Sequence, residues 1–231
     1  MNILGFEIDR RKTVFLAIFA LLSLALYQVK FSTILGVPSQ SFTLFQLVGP
    51  ISAGVLGPVL GVVSVLSVEV LNFLISGKAL DPITLVRFFP MAFAALYFGS
   101  KNRLTAIPAA VCMLLFWLSP VGAQAWYYAL YWLIPIGASF YKDNLLARSL
   151  GATFTAHAIG SVAFLYAFSI PAEVWATLIP VVAVERLTFA AGIALSYYAI
   201  NTLADLASTR AKFDFSFLNV ERKYALFRAK D

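Results

Sequence analysis

Residues 44–76 read LFQLVGPISAGVLGPVLGVVSVLSVEVLNFLIS. Glu69 is the single charge in that run, and no charged loop divides it. A helix crosses the roughly 30 Å hydrocarbon core of a bilayer with about 20 apolar residues, so the stretch is too long for one span. Gly57-Pro58 supplies the division. Glycine ends a helix readily, and proline suits the first turn of the next. The reading is therefore two apolar helices back to back, over 44–56 and 58–76.

The same punctuation partitions the rest of the chain. A first crossing is expected over 13–29, followed by a polar, turn-rich stretch over 30–43 at the outer surface. Residues 77–81 turn, and Pro82 opens a fourth crossing that ends near Gly99. The fifth covers 104–118, a Ser119-Pro120-Val121-Gly122 break follows, and the sixth covers 124–141. The seventh spans 149–169 and the eighth 174–203. Composition agrees: the 231 residues are 61% hydrophobic and 12% charged, with mean hydropathy +0.86. So few polar groups cannot cover a soluble domain of this size.

Charge sets the orientation. Thirteen of the seventeen Lys and Arg residues fall in segments that this partition assigns to the cytoplasm: Arg10, Arg11, Lys12, Lys101, Arg103, Lys142, Arg148, Arg210, Lys212, Arg222, Lys223, Arg228 and Lys230. Lys30 and Lys78 fall outside, and Arg87 and Arg186 within helices. Basic loops resist translocation, so both termini are expected in the cytoplasm of a cell-membrane, multi-pass protein. Two internal ends require an even number of spans, which also favours splitting 44–76. The expected fold is all-α, a polytopic membrane helix bundle of six to eight transmembrane segments. One transmembrane domain covers 1–204, and an amphipathic basic tail covers 205–231. The net charge of +6 suits acidic lipid, not nucleic acid. Arg10 to Lys12 precede an apolar run with no convincing small-residue cleavage site, so that run reads as a retained first helix.

Ionisable groups inside spans carry the functional signal, because each costs roughly 2.5–3.5 kcal/mol on insertion scales if it faces lipid. There are five: Glu69, Arg87, His157, Glu185 and Arg186. With Asn72 they fall in the middle-to-outer layer. Trp126, Tyr127, Tyr128, Tyr131, Trp132 and Trp175 cluster on the same side. The functional reading is an outward-facing polar cavity for a small solute. Its polar contacts would come from Glu69, Asn72, Arg87, His157, Glu185 and Arg186, with Trp126, Tyr127 and Tyr128 as a stacking wall. The bland reading is that two acids and two arginines pair and lock helices together, while the aromatics form an interfacial belt. Glu185 and Arg186 point about 100° apart on a helix and cannot share one partner. Small and polar residues recur at Gly54, Gly57, Gly61 and Ser64, with Pro58 between them, and mark a face for close helix packing.

Enzyme chemistry is not expected. A single histidine rules out an HExxH zinc site, and no Cys/His cluster, Walker A loop or GxSxG elbow is present. Cys112 is alone and forms no internal disulfide. No cofactor or metal is expected.

The stretch 36–77, with Gly36, Val37-Pro38, Gln40, Ala53-Gly54, Leu56-Gly57-Pro58 and Gly61, resembles the substrate-binding S components of energy-coupling-factor vitamin transporters. That resemblance implies capture of a vitamin-like solute from outside, with a separate transmembrane coupling protein and cytoplasmic ATPases as partners. The family usually has six crossings where eight segments are read here. Its first-helix alanine spacing is approximated by Ala17, Ala20 and Ala25. The alternative is a non-catalytic accessory subunit of a larger membrane complex. That role requires the buried charges to pair fully and leave no cavity.

Overall fold

A computed structural model describes residues 2–3, 6–7, 10–33, 41–77, 79–168, 170–210 and 215–226. The expectations placed on Gly36, Val37, Pro38, Gln40, Lys78, Lys212, Arg228 and Lys230 lie outside the described residues. The chain is mostly helical, with two short two-stranded ribbons. Strands β1 (Asn2–Ile3) and β2 (Phe6–Glu7) pair before helix α1 (Arg10–Tyr27). The second ribbon, β3 (Lys30–Thr33) with β4 (Ser41–Thr43), caps the far end of α1.

The run that opened the sequence reading divides where its glycines and prolines stand. Gly49-Pro50 separates α2 (Phe45–Val48) from α3 (Ile51–Leu56), and Gly57 separates α3 from α4 (Pro58–Ser76). Gly57 has φ +84°, a conformation that side chains with a Cβ rarely adopt, and so it turns the chain back on itself. The packing expected of this stretch is found. A Cβ on Gly61 would fall inside the backbone of Ala53, and one on Gly99 would crowd the same residue. Gly54 lies under Phe98 and Tyr197, and Ser64 is buried with its hydroxyl returned to Leu60 O.

The fourth predicted crossing is two helices, α5 (Pro82–Val86) and α6 (Phe89–Gly99). Pro90 stands in the first turn of α6, so the break falls at Arg87-Phe88. The fifth is a 3-10 turn (Arg103–Ala106) and α7 (Ile107–Leu118). The sixth is not one α-helix. It is built from α8 (Pro120–Gln124), a 3-10 segment (Trp126–Trp132), α9 (Leu133–Ala138) and a 3-10 turn (Ser139–Tyr141). Aromatic side chains lose rotamer freedom in an α-helix, and a 3-10 turn eclipses residues three apart, which aligns Tyr128 with Tyr131. The seventh and eighth are α10 (Leu145–Ala167) and α11 (Ala172–Arg210).

Among the described residues three helices are long and apolar enough to cross a membrane: Pro58–Ser76, Leu145–Ala167 and Ala172–Arg210. Phe45–Leu56, Thr84–Gly99 and Arg103–Leu118 are apolar but shorter. Six to eight full-length spans are therefore not found. Breaks at Gly49-Pro50, Arg87-Phe88 and through the 3-10 aromatic run divide three of the others; α1 is unbroken but starts with Arg10, Arg11 and Lys12, and Arg103–Leu118 is short. Leu21, Leu74, Ile75, Leu118, Leu195 and Leu203 stand outward and exposed, an apolar perimeter compatible with lipid contact.

Helix α10 is the core element. Its buried face meets α6, where Gly151 admits the ring of Tyr97, and also meets α7, α9 and α11. At its first turn the cationic end of the bundle is assembled. Helix α11 runs on past residue 205 to Arg210, with Asp205 buried. Residues 215–226 then fold back as a strap against the bundle. Phe217 meets Phe15, and Asn219 N–H donates to Val55 O, a carbonyl that the end of α3 leaves free. Glu221 accepts from Arg148 Nη1 (2.6 Å) and Tyr197 Oη (2.9 Å). Burial raises the Glu221 carboxyl, but the bond and charge of Arg148 together with the bonds from Tyr197 and Lys223 outweigh it and hold the group below its usual range.

Lys142, in the connection before α10, is buried. Its Nζ donates to Tyr97 O (2.7 Å) and Thr105 Oγ1 (3.0 Å) and lies over the Tyr97 ring. Burial, with Arg148 and Lys101 nearby, pulls its ammonium down to about 7. In the unfolded chain a lysine titrates near 10.4. Between those values the unfolded state binds the extra proton, so this group makes the protein more stable as pH rises. Thermal unfolding in detergent should therefore show a midpoint that climbs from pH 7 to pH 9, with a shallower climb in Lys142→Met. An equal slope in both proteins would contradict this.

Candidate functional site: a cavity among five helices

At the end of the bundle opposite the strap, a cavity of about 320 Å³ opens between α1, the β3–β4 ribbon, α4, α6, α10 and α11. Of the nine residues expected to bind solute, seven line it: Glu69, Asn72, Arg87, Tyr128, His157, Glu185 and Arg186. They come from five separate stretches of sequence. Trp126 and Tyr127 do not line it. They stand exposed on the bundle surface, where Trp126 O accepts from Trp117 Nε1. The aromatic wall is Tyr128 with Trp175, their ring centroids 5.0 Å apart, joined by Phe42 and Phe45.

Each polar group has an identifiable setting. Glu69 is buried on α4 and accepts from Tyr27 Oη (2.8 Å); the Tyr27 ring stacks on Phe45. Asn72, one turn along, accepts from Gln28 Nε2 (3.2 Å). Arg87 sits at the break between α5 and α6. It makes no hydrogen bond or ion pair with a described residue, and its charge acts on Glu69 and Tyr27 from a distance. The 100° divergence of Glu185 and Arg186 is realised. Glu185 accepts from Ser32 Oγ in the ribbon, while Arg186 turns inward with Nη1 3.5 Å from Thr153 Oγ1 on α10. The two side-chain ends remain 3.6 Å apart.

His157 is held at both nitrogens. Trp132 Nε1 is 3.1 Å from Nδ1, and Tyr128 Oη is 2.8 Å from Nε2. An indole N–H only donates, so Nδ1 must accept and the imidazole proton must lie on Nε2. Nε2–H then donates to Tyr128 Oη, which leaves the phenol proton free to serve another acceptor. Ser161 Oγ, at 3.5 Å, is the nearest in the protein.

The sequence reading missed the α1 end and the ribbon: Tyr27, Gln28, Ser32 and Phe42 all contact residues it had singled out. The alternation of polar and aromatic residues in KFST and SFT is the local signal for those strands. Gly160, on the cavity side of α10, has nothing within 4 Å of where a Cβ would be, so it leaves open space. Among the described residues no three His, Cys, Asp or Glu side chains gather closely enough to hold a metal ion. The site is a polar, aromatic-walled recess. Comparison with family models, with curated proteins and with solved structures finds no match to this chain.

Proposed function

We propose that this chain is a multi-pass cell-membrane protein, six to eight segments with both termini cytoplasmic, that captures a small vitamin-like solute from the outside. In this reading it is the substrate-binding subunit of an uptake system of the energy-coupling-factor type. A transmembrane coupling protein and cytoplasmic ATPases would supply the energy. One observation carries the reading: seven costly polar side chains, distant in sequence, border one cavity at the end of the bundle away from the cationic cluster. Shorter segments such as α2–α3 and α5–α6 count as crossings here because broken helices are tolerated at membrane depth where they are packed within protein or line a cavity, as the α5–α6 break does at Arg87 and Pro90.

A purely structural role is less well supported. It needs the buried charges to neutralise one another, yet Glu69 bonds Tyr27 and Arg87 has no bonded partner among the described residues. The small-residue faces that could serve assembly are filled by the chain's own Ala53, Phe98 and Tyr197.

The test is a thermal-shift panel of water-soluble vitamins on purified protein, paired with uptake by a deletion strain. One compound should raise the midpoint and lose its uptake in the deletion. A flat panel with unchanged uptake, alongside copurification with a stable membrane complex, would favour the accessory role instead.

A further inference from the structure

The buried side-chain atoms that lack any partner around the cavity are all of one kind. Glu69, Glu185 and Asn72 each already accept from Tyr27, Ser32 and Gln28. Among the described residues, the buried side-chain atoms of cavity-lining residues that lack a hydrogen-bond partner are Trp175 Nε1, Arg186 Nε and Arg186 Nη2, and every one is a donor. Tyr128 adds a weakly engaged fourth donor, since the Trp132–His157 arrangement turns its phenol proton away from His157 and Ser161 Oγ stands at a long 3.5 Å. A buried donor without an acceptor is a costly thing for a protein to keep.

Arg186 is also held still. Its guanidinium carbon lies 4.4 Å from the Phe42 ring centroid and 4.5 Å from that of Phe189, which fixes the plane. Glu185, at 3.6 Å from Nη2, is an ionic neighbour beyond hydrogen-bond reach. Nε and Nη2 form one edge of the guanidinium fork, spaced to meet two oxygens side by side. Glu185 cancels much of the net charge, so selection would rest on donor geometry. A carboxamide offers one acceptor and an NH₂ group that would abut these donors, whereas a carboxylate offers two acceptors.

Building on the binding-site reading above, we propose that the guest is an organic anion whose carboxylate, or an equivalent pair of acceptor oxygens, is taken by the Nε–Nη2 edge of Arg186. Trp175 and Tyr128 are its supplementary donors. The flat aromatic wall receives the rest of the molecule, and a volume of about 320 Å³ keeps the guest small.

The experiment uses purified full-length protein and three matched pairs: nicotinate with nicotinamide, biotin with biotinamide, and pantothenate with pantothenol. Calorimetry should find one acid bound at least about 10-fold more tightly than its neutral partner. Arg186→Gln should weaken that acid roughly 10- to 100-fold and leave the neutral partner within about threefold, which also shows that the variant is folded. Should Arg186→Gln fail to fold, Trp175→Phe should cost the acid about threefold or more and spare the neutral compound. A neutral partner bound as tightly as its acid, cationic thiamine bound in preference, or an acid preference untouched by these substitutions would overturn the proposal and leave the binding subunit standing. Binding by none of these compounds, with no small molecule retained on purification, would bring down the binding-subunit reading and this proposal together.

Discussion

The Gly160→Phe protein should fold normally and bind no guest. Gly160 lies on the cavity side of α10, one turn beyond His157, and a Cβ there meets nothing within 4 Å. The first atom of a new side chain is therefore admitted without strain, and replacing glycine by phenylalanine in a helix interior gains up to about 0.5 kcal/mol in propensity. A phenyl ring on that carbon would occupy much of a 320 Å³ space. Affinity should fall at least about 100-fold, the order expected when a buried site loses its core contacts. Unfolding of the unliganded protein should stay within a few degrees of wild type. Unchanged affinity in a folded Gly160→Phe protein would mean that solute binds elsewhere.

Gly61→Ala should destabilise the bundle severely. The methyl group would fall inside the backbone of Ala53, and α3 at that point is also pressed by Gly99 of α6. Backbone cannot rotate out of the way as a side chain can, so α3, α4 and α6 must separate. Overpacking of a flexible core costs about 1–3 kcal/mol, and a backbone collision should exceed that range. At about 2–4 °C per kcal/mol for a chain of this size, the midpoint should drop by roughly 10 °C or more. Gly137→Ala is the control. It lies in α9 with nothing within 4 Å and should be neutral or slightly stabilising. Equal stability of the two variants would refute the close three-helix junction.

The sequence carried the site better than the number of spans. Glu69, Arg87, His157, Glu185 and Arg186 were legible because a charge in an apolar run is expensive and must turn inward, whatever the helix count. The residues that join them were not, because Tyr27 and Phe42 are ordinary amphipathic and aromatic residues whose position depends on how the ribbon folds over. In WYYALYW nearly every position is aromatic, so no contrast of polarity marks the inner face. An α-helical reading could not separate Tyr128, which is buried, from Trp126 and Tyr127, which are exposed. Trp175 stood near the same outer layer and was left in the belt. The tail's contacts were hidden for a related reason: Glu221 is drawn in by Arg148 and Tyr197, partners invisible before folding.

Gly57-Pro58 was the clearest local signal. It gave the start of α4 to the residue, since φ +84° and a proline at the first helical position each admit few alternatives. Arg87 shows the opposite case. Its position at a helix break follows from Pro90 three residues later, and the break directs it to the cavity. The predicted continuous helix would have carried it on a regular face.

Mass spectrometry of small molecules retained by the wild-type and Gly160→Phe proteins, purified side by side, bears most directly on whether the cavity holds a guest. One compound should accompany wild type in near-equal amount and be missing from the variant. The same compound on both proteins, or no compound on wild type and none that binds when added, would contradict the account.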